Sequence, residues 1–333
     1  MDAVLNFHVI DPNNLGDFLS SPFEYFDFPG CKTARLDLLE FETYLSTPER
    51  VPVLRDTLAK LRQDCDRLHV ILGGGGLLAP RFQPLIAALQ SQIVQPTGGM
   101  LVAWGVGQQS YNLSGKHQGI CRTDPDLVQR IEQFPYDRYV KDWNLIGVRD
   151  YGYNLSLEWL PCASCMHPAF DRDRTIEREF VVYSHAKYQL SLPGIPELSH
   201  TERSLEKVLD FLGSSETVIT SSYHGAYWAT LLGRKVLAFP FTSKFLTLKY
   251  PLGIYPQPNW KQPGFYWRPF KTTFLNKFKI DIKFSQKYRC QTEGWQPMTL
   301  ELPNYTNALV ECRDRNRQFY QSVQALIGMP PSI

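Results

Sequence analysis

Residues 218–240 constrain the fold of this chain more than any other stretch. Val218 and Ile219 are β-branched and apolar, as a strand buried on both faces requires. Hydroxyl residues that can cap a helix follow, and alanines then recur at helical spacing. Gly233 suits the left-handed residue that ends a helix, and residues 236–239 have the composition of a second strand. This pattern predicts two parallel strands of an α/β sheet joined by a helix.

His224 falls in the first turn of that predicted helix, at the carboxyl end of the preceding strand. Ligands of open α/β sheets bind at this edge, and helix N-termini attract anions. An imidazole there can act on a phosphorylated or carboxylated substrate. The alternative is a ring that only hydrogen-bonds its own loop, and the spacing alone does not decide between the two.

Length and composition limit the classes of protein to consider. The chain has 333 residues, of which 43% are hydrophobic and 20% charged, so we expect about two globular domains. A net charge of +2 argues against a nucleic-acid-binding protein. Seven scattered cysteines do not indicate a disulfide framework. No signal peptide and no apolar run long enough for a membrane span are recognisable, so the expected location is the cytoplasm.

In the first half, two segments rich in glycine or polar residues follow predicted strands. The loop at residues 11–17 contains Gly16, which lets a backbone approach a ligand, and Asn14 and Asp17, which can cap the next segment. It can equally be a plain turn. The run Gly73, Gly74, Gly75 and Gly76 follows the predicted strand 68–72, and the amides of such a loop can face a ligand. It matches neither the Walker loop nor the dinucleotide-binding fingerprint, and tight strand–helix packing is the alternative reading.

Two cationic residues also follow predicted strands. Arg149 ends the strand predicted for residues 143–150, and its planar fork can grip a carboxylate or a phosphate. A structural Arg149–Asp150 pair at a helix start is the alternative. Lys244 lies just beyond the strand end at Pro240, where it can contact a phosphate or simply be solvated.

The sequence Cys162-Ala-Ser-Cys-Met-His167 offers three potential metal ligands. A structural zinc needs four, and no second pair of cysteines stands nearby, so we predict no metal site. Cys162 and Cys165 are then expected to be buried small apolar groups.

The last part of the chain is rich in aromatic residues and then helical. The rings of Trp260, Tyr266, Trp267 and Trp295 are interpreted either as sugar platforms or as core side chains. Residues 306–327 carry apolar side chains at helical spacing, and Gly328 is the expected stop.

The motif Ser221-Ser-Tyr-His-Gly225 and the turn Leu232-Gly-Arg-Lys-Val236 resemble the polysaccharide pyruvyl transferases. That family typically has Ser-x-Arg-x-His-Gly, an alanine-rich helix and Leu-Gly-Lys-Pro-Val. The chain departs from it at Ser222, where the family has an arginine. The resemblance extends, in the same order, over the loop that ends at Asp17, the glycine run, the Arg149–Asp150 pair and Lys244.

The alternation of strands and helices, in two blocks, favours two doubly wound Rossmann-like domains that face a cleft. We place them at residues 1–172 and 173–333. By analogy with GT-B-type sugar transferases, the last helix would cross back onto the first domain.

The resemblance implies transfer of a pyruvyl group from phosphoenolpyruvate to two hydroxyls of a glycan or lipid-linked sugar, forming a ketal without a further cofactor. His224 would be the acid/base or a donor-phosphate ligand, and Arg149 would bind the donor anion. The assisting donor-binding residues would be Lys244, Ser221, Ser222, Tyr223, Gly73, Gly74, Gly75, Asn14 and Asp17.

Two other functions remain open at this point. The same architecture serves nucleotide-sugar-dependent glycosyltransferases, in which the glycine loops and His224 would bind the diphosphate. A catalytically silent glycan- or partner-binding module is the third possibility.

Overall fold

The computed structural model describes residues 1–329 except Pro12, 111–124, 153–156, Gln257, 262–264, 271–278 and 285–286. Residues 265–270 and 279–284 are described by their backbone only, so the predictions for Tyr266 and Trp267 lie outside the described side chains. The described chain has an α/β fold that contains two separate parallel sheets.

The first sheet has the strand order β2-β1-β3-β4-β5-β6, and all its neighbouring strands are parallel. The order 2-1-3-4-5 is the flavodoxin-like variant of the doubly wound fold. The direction in which successive strands are added reverses between β1 and β3, and such sheets bind ligands at this point. The strands are β1 Ala3–His8, β2 Lys32–Asp37, β3 Leu68–Leu78, β4 Leu101–Gln108, β5 Leu145–Val148 and β6 Glu158–Trp159.

Six described helices connect these strands, and most of them pack on one face of the sheet. In α3, Leu54, Leu58 and Leu61 lie at helical spacing and are buried in a cluster with Leu5 of β1 and Val70 of β3. The helices are α1 Leu15–Phe18, α2 Leu38–Ser46, α3 Pro52–Asp64, α4 Gln83–Leu89, α5 Pro125–Glu132 and α6 Tyr136–Val140.

The second sheet has five strands in the order β12-β11-β10-β7-β9, again all parallel. Helix α8 connects its neighbouring strands β10 and β11, and none of its nine residues is exposed. The elements of this part are β7 Arg178–Ser184, β8 Tyr188–Ser191, β9 Glu197–Ser199, α7 Leu205–Gly213, β10 Ser215–Thr220, α8 Tyr223–Leu231, β11 Lys235–Ala238 and β12 Gly253–Ile254.

Two small sheets and a long helix complete the described chain. Strand β8 pairs with β16 in a sheet of order β13-β16-β8, and β14 pairs with β15 in an antiparallel hairpin. The remaining elements are β13 Trp260–Lys261, β14 Phe265–Phe270, β15 Lys279–Phe284, β16 Tyr288–Gln291 and α9 Ala308–Ile327.

Helix α9 packs on the face of the first sheet that α3 does not cover. The indole Nε1 of Trp104 in β4 donates a 2.8 Å hydrogen bond to Asn316 Oδ1, and the Trp104 and Phe319 rings lie 5.0 Å apart. Phe26 stacks on Tyr320 at 4.7 Å. The aromatic residues at 22–28 therefore cover this face together with α9.

The strand–helix–strand prediction for residues 218–240 is confirmed by β10, α8 and β11, and Gly233 has the expected left-handed φ of 66°. The predicted stop of the last helix is also confirmed, since α9 ends at Ile327 and Gly328 follows it with a φ of 76°.

The predicted glycine loop is wrong in one respect. Gly73 to Gly76 belong to β3, which continues to Leu78 with a register shift against β4 after Gly75. The aromatic residues of the last part are interpreted from the sequence either as sugar platforms or as core side chains, and Trp260 and Trp295 are core side chains. Both are buried in the core of the second half, at 4% and 6% exposure, so they are not sugar platforms.

Candidate functional site

Hydroxyl side chains build the N-terminus of α8. Ser222 Oγ accepts a hydrogen bond from the Gly225 amide (3.3 Å) and so caps the helix. Thr220 Oγ1 accepts from the Ser222 amide (2.9 Å) and donates to the Tyr183 carbonyl of β7 (2.6 Å). These bonds hold the turn between β10 and α8, and they set the positions of the next two residues, Tyr223 and His224.

A cleft of about 570 Å³ opens at this helix end, and both halves of the chain line it. Its walls include the carboxyl ends of β1 and β3, where the order of the first sheet reverses. The residues predicted from the sequence that line it are Asn14, Asp17, Gly74, Gly75, Arg149, Ser222, Tyr223, His224 and Lys244.

Two predicted residues do not line this cleft. Gly73 packs inward, where an added Cβ would lie 2.6 Å from Asn6 Nδ2 and 2.8 Å from Pro22 Cδ. Ser221 is fully buried, and its Oγ accepts from the His185 amide (3.0 Å) and donates to the Tyr188 carbonyl. Ser221 therefore positions the chain after β7, and neither residue is placed to contact a ligand.

Two cations meet at the ring of Tyr223. The guanidinium carbon of Arg149 lies 4.3 Å from the ring centroid, and Lys244 Nζ lies 5.5 Å from it. Arg149 is 4% exposed, and its Nε has no hydrogen-bond partner in the described part of the chain. Burial, together with the charge of Arg149, lowers the pKa of Lys244 to about 8. An anion at this point would be attracted by both charges.

The positions of both cations depend on contacts between the two halves. The Ser110 amide donates to Ser243 Oγ and the Ser243 amide donates to the Ser110 carbonyl, each at 2.9 Å. Asp150, next to Arg149, is fully buried and accepts a 2.8 Å hydrogen bond from Thr247 Oγ1. The segment that carries Lys244 is thus tied to the strand ends of the first sheet.

His224 lies against α1, the short helix after β1. A Cβ added to Gly16 would stand 1.9 Å from His224 Nδ1, so the ring occupies space that only a glycine leaves. On its other side, Nε2 lies 3.7 Å from Cys162 Sγ. Burial, followed by the charges of Arg149 and Lys244, lowers the pKa of His224 well below its ordinary value, so the ring is neutral at pH 7.

Asp17 supplies a carboxylate to the same cleft. Asn14 Nδ2 donates a 2.6 Å hydrogen bond to Asp17 Oδ2. The main chain of Asp17 is held by His8, whose Nδ1 lies 3.2 Å from the Asp17 carbonyl, while Arg35 Nε donates to His8 Nε2 at 2.7 Å. Burial raises the pKa of Asp17, and the charges of Lys244 and Arg149 oppose that rise. A carboxylate repels phosphate, so this side chain is better suited to accept a hydrogen bond from a hydroxyl.

Gly74 and Gly75 line the cleft in conformations that favour glycine, with φ values of 47° and 106°. An added Cβ on Gly74 would lie 2.3 Å from Ser20 Cβ. The glycines therefore allow the end of β3 to pass close to the loop after β1.

The structure also brings to the cleft residues that the sequence did not single out as a group. His185 follows β7, and His200 follows β9, which is the neighbour of β7 in the sheet. Phe241, Arg81 and Gln109 line it as well. The position of His185 after a strand was a visible signal, whereas the pairing of β7 with β9 that brings His200 beside it was not.

The three potential ligands of the cysteine-rich segment have separate neighbours. His167 Nδ1 accepts a hydrogen bond from the Ala169 amide (3.1 Å), and Cys165 Sγ lies 3.4 Å from Asn316 Nδ2. Among the described residues, no group of three or more His, Cys, Asp or Glu side chains could hold a metal ion. Cys162 and Cys165 are fully buried, as expected for small apolar groups.

Comparisons with known proteins add little to this geometry. No protein-family model matches the chain. A search of curated proteins finds no match either. Among solved structures, the chain is similar to an uncharacterized protein of Klebsiella pneumoniae subsp. pneumoniae NTUH-K2044, with 12% identity over 72% of this chain and 83% of that one and a TM-score of 0.35. Separately, none of the described helices is long and apolar enough to cross a membrane.

Proposed function

We propose that this protein transfers a pyruvyl group from phosphoenolpyruvate to a pair of hydroxyls on a glycan or lipid-linked sugar. The observation that carries the proposal is the convergence of Arg149 and Lys244 on the Tyr223 ring at the start of α8, beside a neutral His224. Phosphoenolpyruvate carries a carboxylate and a phosphate, so it needs cationic groups and helix amides in a confined site. The resemblance of residues 221–236 to the polysaccharide pyruvyl transferases supports the same substrate.

The proposed reaction has two stages that balance without a cofactor. One sugar hydroxyl adds to the enol carbon of phosphoenolpyruvate, and a proton goes to the methylene carbon, which becomes a methyl group. A second hydroxyl then displaces phosphate from the same carbon, and its proton leaves with the phosphate. The products are the pyruvyl ketal and inorganic phosphate.

We assign the residues of the cleft to these stages by their charge. Arg149 binds the carboxylate, and Lys244 offsets the charge of the phosphate. The neutral His224 can accept the hydroxyl proton and deliver it to the methylene carbon. Asp17 accepts a hydrogen bond from the acceptor, and the arrangement of the two sheets about the cleft is proposed to be of the GT-B type.

The first experiment measures thermal stabilisation by phosphoenolpyruvate in the wild type, Lys244→Gln and Lys249→Gln. Lys249 is the matched control, because it is also partly buried but pairs with Glu311 outside the cleft. A ligand at one hundred times its Kd stabilises the native state by about 2.7 kcal/mol. We expect this stabilisation in the wild type and Lys249→Gln, and most of it to be lost in Lys244→Gln.

A panel of nucleotide-sugars, measured in the same way, tests the glycosyltransferase alternative. Stabilisation by nucleotide-sugars and not by phosphoenolpyruvate would contradict the proposal in favour of glycosyl transfer. Where phosphoenolpyruvate binds, release of inorganic phosphate in the presence of candidate acceptors then measures the transfer itself.

A further inference from the structure

One end of the cleft contains a pair of histidines that the proposed reaction does not use. The rings of His185 and His200 meet edge to face with their centroids 4.2 Å apart. The His185 ring lies 5.0 Å from the ring of Phe241, and Lys244 Nζ lies 5.5 Å from that same Phe241 ring. Lys244 is therefore near two groups: the Tyr223 ring, on which Arg149 packs, and the rings of His185, His200 and Phe241. We call the second group the histidine end.

Both histidines line the cleft, where each ring can donate a hydrogen bond from a nitrogen. The Lys187 amide donates to His185 Nδ1 at 3.0 Å, so the neutral ring carries its proton on Nε2. His200 is 6% exposed and lines the cleft, and its described hydrogen bond, to the Ser184 carbonyl, involves the main chain. An imidazole that lines a polar cleft without a side-chain partner can form hydrogen bonds with a ligand there.

The charges around the histidine end favour an anion. His185 faces His200, Lys244 and Lys187, and His200 faces Lys244 and, with the opposite sign, Asp11. Burial lowers the pKa of both rings. His200 and the two lysines lower that of His185 further, and Lys244 lowers that of His200, to about 4. A bound anion would offset this repulsion and raise both pKa values.

We propose that His185 and His200, together with Lys187 and Lys244, bind a phosphate monoester at the histidine end of the cleft. Two N–H donors on separate rings can reach different oxygens of a tetrahedral oxyanion, whereas the planar fork of Arg149 suits a carboxylate. The phosphate belongs either to the donor or to a phosphorylated sugar acceptor. Only this choice of source rests on the proposed function, since the subsite itself is defined by the histidine pair.

The test follows the ring signals of the seven histidines in the full-length wild-type protein during titration with inorganic phosphate at pH 7, by proton–carbon NMR. We expect the signals of His185 and His200 to shift together with one saturation curve, and their pKa values to rise by about one unit or more. Calorimetry gives the Kd for inorganic phosphate, and 50-fold above it the site is about 98% occupied by mass action. If both signals are unchanged at that concentration, the proposed subsite is wrong. It is also wrong if inorganic phosphate does not bind.

A variant experiment checks the same point by affinity. We expect His185→Gln/His200→Gln to weaken phosphate binding by about tenfold or more, while His167→Gln, outside the cleft, leaves it unchanged. Equal affinity in the double variant would contradict the proposal. If the double variant does not fold, the single variant His185→Gln and the wild-type titration still decide it.

Titration with phosphoenolpyruvate and with a sugar phosphate identifies the source of the phosphate. If the donor supplies it, phosphoenolpyruvate shifts the signals of His224, His185 and His200 together and competes with inorganic phosphate. If the acceptor supplies it, phosphoenolpyruvate shifts His224 alone, and the sugar phosphate shifts the histidine pair. A shift of the pair by phosphate with no response to phosphoenolpyruvate would contradict the proposed function and leave the subsite in place.

Discussion

The imidazole of His224 can sit at the start of α8 only because residue 16 has no side chain. The Cβ of any other residue would overlap its ring, at 1.9 Å from Nδ1. The glycine in α1, the short helix after β1, therefore sets the position of a residue in α8, which belongs to the second half of the chain. The sequence suggested instead that Gly16 lets the backbone approach a ligand.

We expect Gly16→Ala to displace the His224 ring and to weaken phosphoenolpyruvate binding by about tenfold, the equivalent of about 1.4 kcal/mol. Alanine favours a helix over glycine by about 1 kcal/mol, so a loss of stability in this variant would itself report the overlap. Isothermal titration calorimetry measures the binding. The control is Gly30→Ala, whose φ of 80° costs about 1–2 kcal/mol but whose Cβ would have no neighbour within 4 Å. Unchanged binding in Gly16→Ala would show that the ring position does not matter to the ligand.

Lys244 makes ligand binding depend on pH. Its pKa of about 8 means that about half of the molecules are unprotonated there at pH 8. A bound anion raises this pKa, so binding at pH 8 takes up about half a proton or less, whereas at pH 6.5 Lys244 is already charged and takes up none. The phosphate of the ligand is itself fully ionised at pH 8, since its second pKa is about 6.

Calorimetry of phosphoenolpyruvate binding in buffers of different ionisation enthalpy measures this uptake. In Lys244→Arg, the side chain is charged at both values of pH, so we expect the uptake at pH 8 to disappear. The same uptake in this variant and the wild type would assign the proton to another group.

At the scale of elements, one buried amide of α9 forms hydrogen bonds with the first sheet and the chain beside it. Asn316 is fully buried, accepts from Trp104 Nε1 (2.8 Å) and donates to the carbonyls of Pro161 (3.3 Å) and Cys312 (3.0 Å). Removing this side chain leaves the indole N–H and a carbonyl without partners in a dry environment. Each such group costs about 1–3 kcal/mol.

We therefore expect Asn316→Ala to lower the free energy of unfolding by about 3 kcal/mol in urea titrations. Asn307→Ala is the control, because Asn307 is exposed at the start of the same helix and makes no side-chain capping bond. Its change should stay within about 0.5 kcal/mol. Similar effects of the two substitutions would mean that the buried amide contributes no more than a surface residue.

At the scale of the whole molecule, several buried neutral histidines link stability to pH. Burial, followed by the charge of Arg35, lowers the pKa of His8 to about 3, and burial lowers that of His200 to about 4. The unfolded chain binds these protons near pH 6.5, so between that value and the folded pKa it holds more protons than the native state. Stability is therefore complete above about pH 6.5 and is lost as the pH falls, by up to about 1.4 kcal/mol per pH unit for each such histidine.

His8→Asn tests this linkage, because an amide can still donate to the Asp17 carbonyl but does not titrate. Between pH 7 and pH 5, a histidine with these pKa values accounts for about 2 kcal/mol of the loss in unfolding free energy. We expect urea unfolding to show a loss smaller by this amount in His8→Asn. An equal loss in the variant and the wild type would show that His8 does not contribute.

The sequence by itself determined the local units of this protein. The β-branched run of β10, the hydroxyl caps before α8 and the glycine after it act within a few residues, so the strand–helix–strand unit and the place of His224 in the first turn follow from the sequence. The same holds for the stop of α9 at Gly328. These signals arise from backbone conformation and side-chain periodicity, which neighbouring residues control.

Only the tertiary structure decided which of these units meet. The register of β7 with β9 brings His200 to His185, and the hydrogen bonds of Ser110 and Asp150 bring Lys244 to Arg149. Gly73 lies within β3 and Ser221 follows β10, but neither lines the cleft. Gly73 packs against Asn6, and Ser221 bonds to the chain after β7. Strand order and the contacts between the two sheets depend on residues far apart in the chain, so local spacing carries no record of them.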